Sequence, residues 1–141
     1  MFDNILLPID MEHTASWEKS LPIAVKLCGA GGTLHVLGIV HDLGSAIIAS
    51  YLPEGFEENA LRAMKSKLDA FIEKEVPSGT NAVSHVGHGH VPERILAAAN
   101  EVDADIIVVA SHPPGDLMTL LVGSNADKLA RYSERPVLVI R

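Results

Sequence analysis

Short apolar runs alternate along this chain with longer stretches whose apolar residues recur every three or four positions. Asn4–Ile9 (NILLPI) is too short for a helix and is closed by Pro8 and Asp10, which predicts a buried strand. From Thr14 to about Leu27, Ala15, Leu21, Ala24, Val25 and Cys28 fall at helical spacing, with Thr14 or Ser16 as the cap and Gly29–Gly32 as the stop. Thr33–Val40 is rich in β-formers and predicts a second strand, after which His41–Pro53 reads as a connection. Glu54–Glu75 carries Leu61, Met64, Leu68, Phe71 and Ile72 on one face, predicting a long amphipathic helix ended by Pro77 and Gly79. Asn81–Val86 alternates weakly, as a sheet-edge strand does, before Gly87 and Gly89. A helix follows with Pro92 in its first turn and Ile95, Leu96, Ala98 and Ala99 inward. Asp105–Ala110 (DIIVVA) is the most apolar run, hence a central strand. Beyond a loop at His112–Asp116, Leu120–Tyr132 reads as a helix and Pro136–Ile140 as the last strand.

Strands and helices thus alternate throughout. This predicts an α/β fold: a doubly wound five-stranded parallel sheet, Rossmann-like, with right-handed crossovers and helices on both faces. Residues 1–141 read as one domain, without internal repeats or low-complexity tracts. The expected strand order is 3-2-1-4-5, with its reversal between strands one and four, and a ligand belongs at the carboxyl ends of those two strands. Asp10 and Ser111–Asp116 occupy that crevice.

Composition narrows the function classes. Aromatic residues make up 4% of the chain and hydrophobic residues 48%, so the core is aliphatic, as suits strands buried on both faces. A formal charge of −7 without a Lys/Arg cluster argues against nucleic acid as a partner. Asp3, Pro8, Asp10 and Glu12 interrupt any apolar leader, and no apolar run reaches membrane-spanning length, so the expectation is a cytoplasmic protein without membrane insertion. The single cysteine, Cys28, forbids an internal disulfide and reads as a small buried hydrophobe on the first helix. Trp17, on the same helix, reads as packing partly against its neighbours.

Several chemistries lack their full residue sets. His85, His88 and His90 (HVGHGH) suggest a metal, yet no Cys or carboxylate stands among them, and solvated loop histidines beside an edge strand are the better reading. Neither Gly29–Gly32 nor Gly87-His88-Gly89 is a dinucleotide fingerprint, since the first precedes a strand and the second lacks a third glycine. Asp10 as a phosphoacceptor would need an acidic neighbour and a carboxylate ending strand three, where Ile9 and His88 stand. His112 as a general base has no orienting partner beyond Asp116, across Pro113 and Pro114. No catalytic residue is assigned, and a binding protein is the better reading than an enzyme.

Gly123, Ser124 and Asn125 precede or open the last helix, where free backbone N–H groups bind anions. A glycine that relieves packing and a serine that caps explain the same residues. The segment VVASHPPGDLMTLLVGSNADKLARYSERPVLVIR resembles the C-terminal signature of the universal stress protein family. ILLPID resembles that family's first strand with its adenine-side Asp, LHVLGIV its second strand, and GHVPERIL the turn opening its third helix. The resemblance covers essentially the whole chain, and the Ala-Ser-His and Gly-Ser-Asn variants resemble a bacterial subgroup.

By position, the resemblance implies Asp10 and the Ile39 backbone beside adenine, and Val109 and Ala110 beside the ribose. His112, Pro113, Gly123, Ser124, Asn125 and Ala126 then lie along the phosphates of ATP, with or without Mg²⁺. Family members that bind ATP carry Gly-x-x-Gly, nine residues, then Gly-Ser or Gly-Thr; here Ala110 and Pro113 replace the first two glycines, while Gly123 and Ser124 keep their spacing. Pro113 removes one N–H donor, worth about 1.5–3 kcal/mol to a charged ligand. The function implied is a regulatory nucleotide-binding module. The alternatives are a nucleotide-independent adaptor, and a slow ATPase or autokinase using His112 or Ser124. Pro136–Ile140 would be an apolar sheet edge, which a second copy covers by antiparallel pairing about a two-fold axis. The family resemblance implies the same homodimer, whereas a monomer would rely on Arg135 and Arg141 to solvate that edge.

Overall fold

The aliphatic runs form five parallel strands: β1 (Phe2–Ile9), β2 (Cys28–His41), β3 (Ala82–Gly89), β4 (Ile106–Ala110) and β5 (Val137–Ile140). Their order is β3-β2-β1-β4-β5, as the alternating pattern predicts. The computed structural model describes residues 2–41, 54–111 and 125–141. The helices among them are α1 (Ser20–Leu27), α2 (Phe56–Glu75), α3 (Val91–Glu101) and α4 (Ala126–Tyr132), with a 3-10 turn at Thr14–Ser16. Successive strand residues point to opposite faces, so one sheet serves two cores. Leu6, Leu37, Ile107 and Val109 pack with Ile95 and Ala98 of α3 and Leu129 of α4. Ile5, Leu7, Leu34, Val36 and Val108 pack on the other face with Leu21 of α1 and Leu68 and Phe71 of α2. All five residues of β4 are buried, the mark of a central strand.

The expected helix over Thr14–Leu27 is broken, because Ser16 has a tertiary task. Its hydroxyl accepts the Asp10 N–H at 2.9 Å and donates to the Asp10 carbonyl at 2.9 Å, knotting the loop after β1. Neither Thr14 nor Ser16 caps α1; Lys19 stands at its N-cap and makes no side-chain cap bond. Gly29–Gly32 does not follow the helix as a stop but lies inside β2, which starts at Cys28 opposite Phe2. A Cβ on Gly32 would sit 3.0 Å and 3.1 Å from the carbonyl oxygens of Phe2 and Asp3, so its glycine permits the close approach of β2 to β1.

Cys28 is therefore the first residue of β2, partly exposed, and not a buried residue on a helix face. Partial burial and then the Asp3 charge push its thiol pKa upward. Trp17 lies between the 3-10 turn and α1, and its ring meets Phe71 edge-on with centroids 4.9 Å apart. Strand three is longer than its pattern suggests, since Gly87 and Gly89 belong to it. The helix expected over Leu120–Tyr132 is observed from Ala126, residues 120–124 lying outside the described residues.

The strand register opens the crevice. β1 pairs with β2 from its start through Ile9↔Gly38, but with β4 only at Ile5↔Ile106 and Leu6↔Ile107. Beyond those pairs the carboxyl halves of the two central strands share no ladder, which is the switch-point geometry that admits a ligand.

Candidate functional site

Asp10 ends β1 at that opening and is 7% exposed. A buried carboxylate is costly unless its oxygens find donors, and both do. Oδ1 accepts the Glu12 backbone N–H at 3.0 Å, and Oδ2 lies 2.7 Å from Nδ1 of His13. The His13 N–H also donates to the Asp10 carbonyl at 3.0 Å, closing the turn that brings the imidazole back onto the carboxylate. With the Ser16 hydroxyl behind, the loop after β1 is bonded at nearly every polar atom of Asp10.

Beside this loop lies a cavity of about 400 Å³ between the carboxyl end of β2 and one flank of α2. Asp10, His13, Ile39, Ala63, Met64 and Lys67 are among its lining residues. It is apolar along Ile9, Ile39, Val40 and Met64 and polar at one end, the composition that holds a flat heteroaromatic ring and reads its edge. Asp10 and Ile39, paired by sequence reasoning, meet here.

Other anticipated site residues lie apart from this cavity. Val109 and Ala110 are buried at the end of β4, paired with Val139 and Ile140 of β5, and the next residue, Ser111, donates its N–H to the Ile140 carbonyl at 2.7 Å. Asn125 stands at the N-cap of α4 without a side-chain cap bond, and Ala126 is buried in the first turn. His112, Pro113, Gly123 and Ser124 lie outside the described residues.

The histidines correct the sequence reading. His85 and His88 are partly buried within β3, not solvated on a loop. Nε2 of His85 lies 2.8 Å from Nδ1 of His35 on β2, whose Nε2 lies 3.1 Å from Oδ1 of Asn4 on β1. His88 directs Nδ1 toward the Glu57 carboxylate at 3.3 Å, while its Nε2 is buried without a partner. Only His90 is exposed as expected. Among the described residues no three of His, Cys, Asp and Glu converge to hold a metal. His13 is the residue that sequence reasoning passed over; Asp-x-x-His at a strand end was its only trace.

A doubly wound α/β domain with a part-apolar cavity at its switch point, read by a buried carboxylate, is a small-ligand-binding architecture. The chain belongs to the universal stress protein family, whose model matches residues 1–141. It is 27% identical over 143 residues to universal stress protein G of Salmonella typhimurium, covering 100% of both chains. Solved structures share the fold. The universal stress protein UspA from Lactobacillus plantarum aligns with a TM-score of 0.69 at 22% identity, over 98% of this chain and 97% of that one. A universal stress protein in complex with cAMP aligns with 0.60 at 18% identity, over 99% and 97%. A family protein from Arabidopsis thaliana with AMP bound aligns with 0.62 at 13% identity, over 97% and 90%. Among the described residues, no helix is long and apolar enough to cross a membrane.

Proposed function

We propose that this chain is a dimeric, cytoplasmic regulatory module that binds an adenine nucleotide, ATP in the first instance, at the crevice between β1 and β4. The observation that carries the reading is the cavity in which Asp10 and Ile39 meet. An ionised carboxylate only accepts hydrogen bonds, so Asp10 suits the exocyclic amine of adenine, while Ile39, Val40 and Met64 offer the ring an apolar bed. The solved relatives with AMP and cAMP support the same ligand class. On this reading Val109 and Ala110 flank the ribose, and His112, Pro113, Gly123, Ser124, Asn125 and Ala126 follow the phosphates, with or without Mg²⁺. Occupancy, not turnover, is then the signal.

Calorimetric titration with ATP and AMP tests the reading. Gly123→Val abolishes binding, because a branched side chain fills the space needed at the helix start, and Ala110→Gly with Pro113→Gly tightens it by restoring close approach and one N–H donor. Absence of binding in both the native chain and the double variant favours the nucleotide-independent adaptor, and phosphate release over hours the ATPase or autokinase. The dimer reading rests on β5, whose four residues are all partly exposed along the sheet edge. Antiparallel pairing with the same strand of a second copy satisfies that edge. Sedimentation then gives a dimer that Val139→Asp dissociates; a monomer at tens of micromolar overturns it.

A further inference from the structure

His13 is held in one tautomer. At 2.7 Å, the contact between Nδ1 and Oδ2 of Asp10 is at the short end for N–H···O bonds, as expected when the acceptor is a carboxylate. An ionised carboxylate cannot donate, so Nδ1 carries the hydrogen. The other nitrogen, Nε2, has no protein partner among the described residues, and the side chain is 24% exposed and lines the cavity. Asp10 keeps unused lone pairs, because each oxygen has one protein donor. The remaining charged groups on the lining are Glu12, which meets the pair through its backbone N–H, and Lys67, which makes no bond to it.

The cavity therefore presents two polar points side by side: a carboxylate acceptor, and an imidazole nitrogen that becomes a donor when the ring is charged. Their complement is a base edge with an amine next to a ring nitrogen that has a free lone pair. A 6-aminopurine has such an edge, whereas a 6-oxopurine turns a carbonyl toward Asp10, where two acceptors repel. The carboxylate alone would favour any N–H donor; the neighbouring imidazole adds a demand for a ring acceptor and fixes the angle at which Asp10 faces the base.

We propose that His13 is a specificity-determining residue, which orients Asp10 and, through Nε2, selects aminopurine over oxopurine nucleotides. This rests on the nucleotide reading of the cavity and adds to it a residue outside the anticipated set. The test titrates the full chain with AMP, inosine monophosphate, and the 1-deaza and 7-deaza analogues of AMP, using the native protein, His13→Ala and His13→Gln. The native chain binds AMP at least about tenfold more tightly than inosine monophosphate, and one deaza analogue loses about tenfold. In His13→Ala both discriminations shrink toward unity, and His13→Gln, which keeps an N–H for Asp10, recovers part of the AMP preference over inosine monophosphate but not the deaza effect. A merely structural histidine would weaken all four ligands equally. If the native chain binds neither AMP nor ATP, the nucleotide reading falls and this inference with it. If it binds AMP but the ratios are unchanged in His13→Ala, or neither deaza analogue loses affinity on the native chain, the assignment of His13 alone is overturned.

Discussion

Acidification should destabilise this protein through one pair of histidines. The two facing nitrogens of His35 and His85, 2.8 Å apart, share a single proton, and protonating both rings sets N–H against N–H. Burial first, and then the neighbouring His85, hold the pKa of His35 below its ordinary 6.5; burial first, and then Lys65, do the same for His85 against an opposing pull from Glu101. The unfolded chain accepts protons near the ordinary value that the folded chain refuses. Stability is therefore full above that value, falls as pH drops from it through the folded values, and levels off below them. Each extra proton bound on unfolding contributes about 1.4 kcal/mol per pH unit, so the pair sets a maximum slope of about 2.7 kcal/mol per unit. Against a total stability on the order of 5–15 kcal/mol, that is a large effect. Urea unfolding between about pH 7.5 and pH 5 measures it, comparing the native chain with His35→Gln/His85→Gln. The five other histidines are common to both proteins, so the difference in slope isolates the pair. Equal slopes would refute the reasoning.

Leu68→Ala, at a fully buried position of α2, should cost about 2–5 kcal/mol in denaturant unfolding. Gly38→Ala should cost about 1–3 kcal/mol, because its Cβ would lie 2.9 Å from Leu68 Cδ1, and less in the Leu68→Ala background, as a double-mutant cycle would read. Ser84→Ala should cost about 1–3 kcal/mol, since the buried hydroxyl that accepts from Lys65 and donates to Asp69 is lost. Asp105→Asn should lower the melting temperature at neutral pH and flatten the acid limb of stability. Its carboxylate accepts the N–H groups of Asn4 and Asp3, both at 2.8 Å, which hold its pKa below 3.8, so its contribution is present above that value and lost as pH falls through the folded one.

The strand order was legible because aliphatic runs separated by helical spacing leave few right-handed parallel topologies. What escaped sequence reasoning depends on contacts between distant residues. Ser16 looks like a helix cap until its hydroxyl is seen bonded to both backbone groups of Asp10. Gly29–Gly32 looks like a helix stop, which the helix end at Leu27 does not need, and its glycines instead let β2 lie against the carbonyls of Phe2 and Asp3. Gly87 looks like a flexible turn, but within β3 it makes room for the Arg94 side chain, whose Cγ would lie 2.5 Å from an added Cβ. His85 looks solvated because its partner, His35, is fifty residues away. Asp10 and Ile39 stood out as a pair through family resemblance. Nothing in Asp-x-x-His announced that the turn would fold His13 back onto the carboxylate.

The two flanks of α2 suggest where occupancy of the cavity would be felt. Ala60, Ala63, Met64 and Lys67 line the cavity on one flank. On the other, Lys65 donates to the Ser84 carbonyl at 2.9 Å, Asp69 accepts from the Ser84 hydroxyl, and Glu57 faces His88, so three residues of α2 are tied to edge strand β3. A nucleotide seated against Ala63 and Met64 presses on a helix whose far side is fastened to that edge, whereas α2 has no such ties to β5 among the described residues. Hydrogen exchange with and without saturating AMP should therefore show increased protection in α2 and β3 together, with Ser84→Ala reducing the gain in β3 while leaving that in α2. Protection confined to α2 in the native chain, or a β3 response unchanged by Ser84→Ala, would mean that these ties do not transmit occupancy.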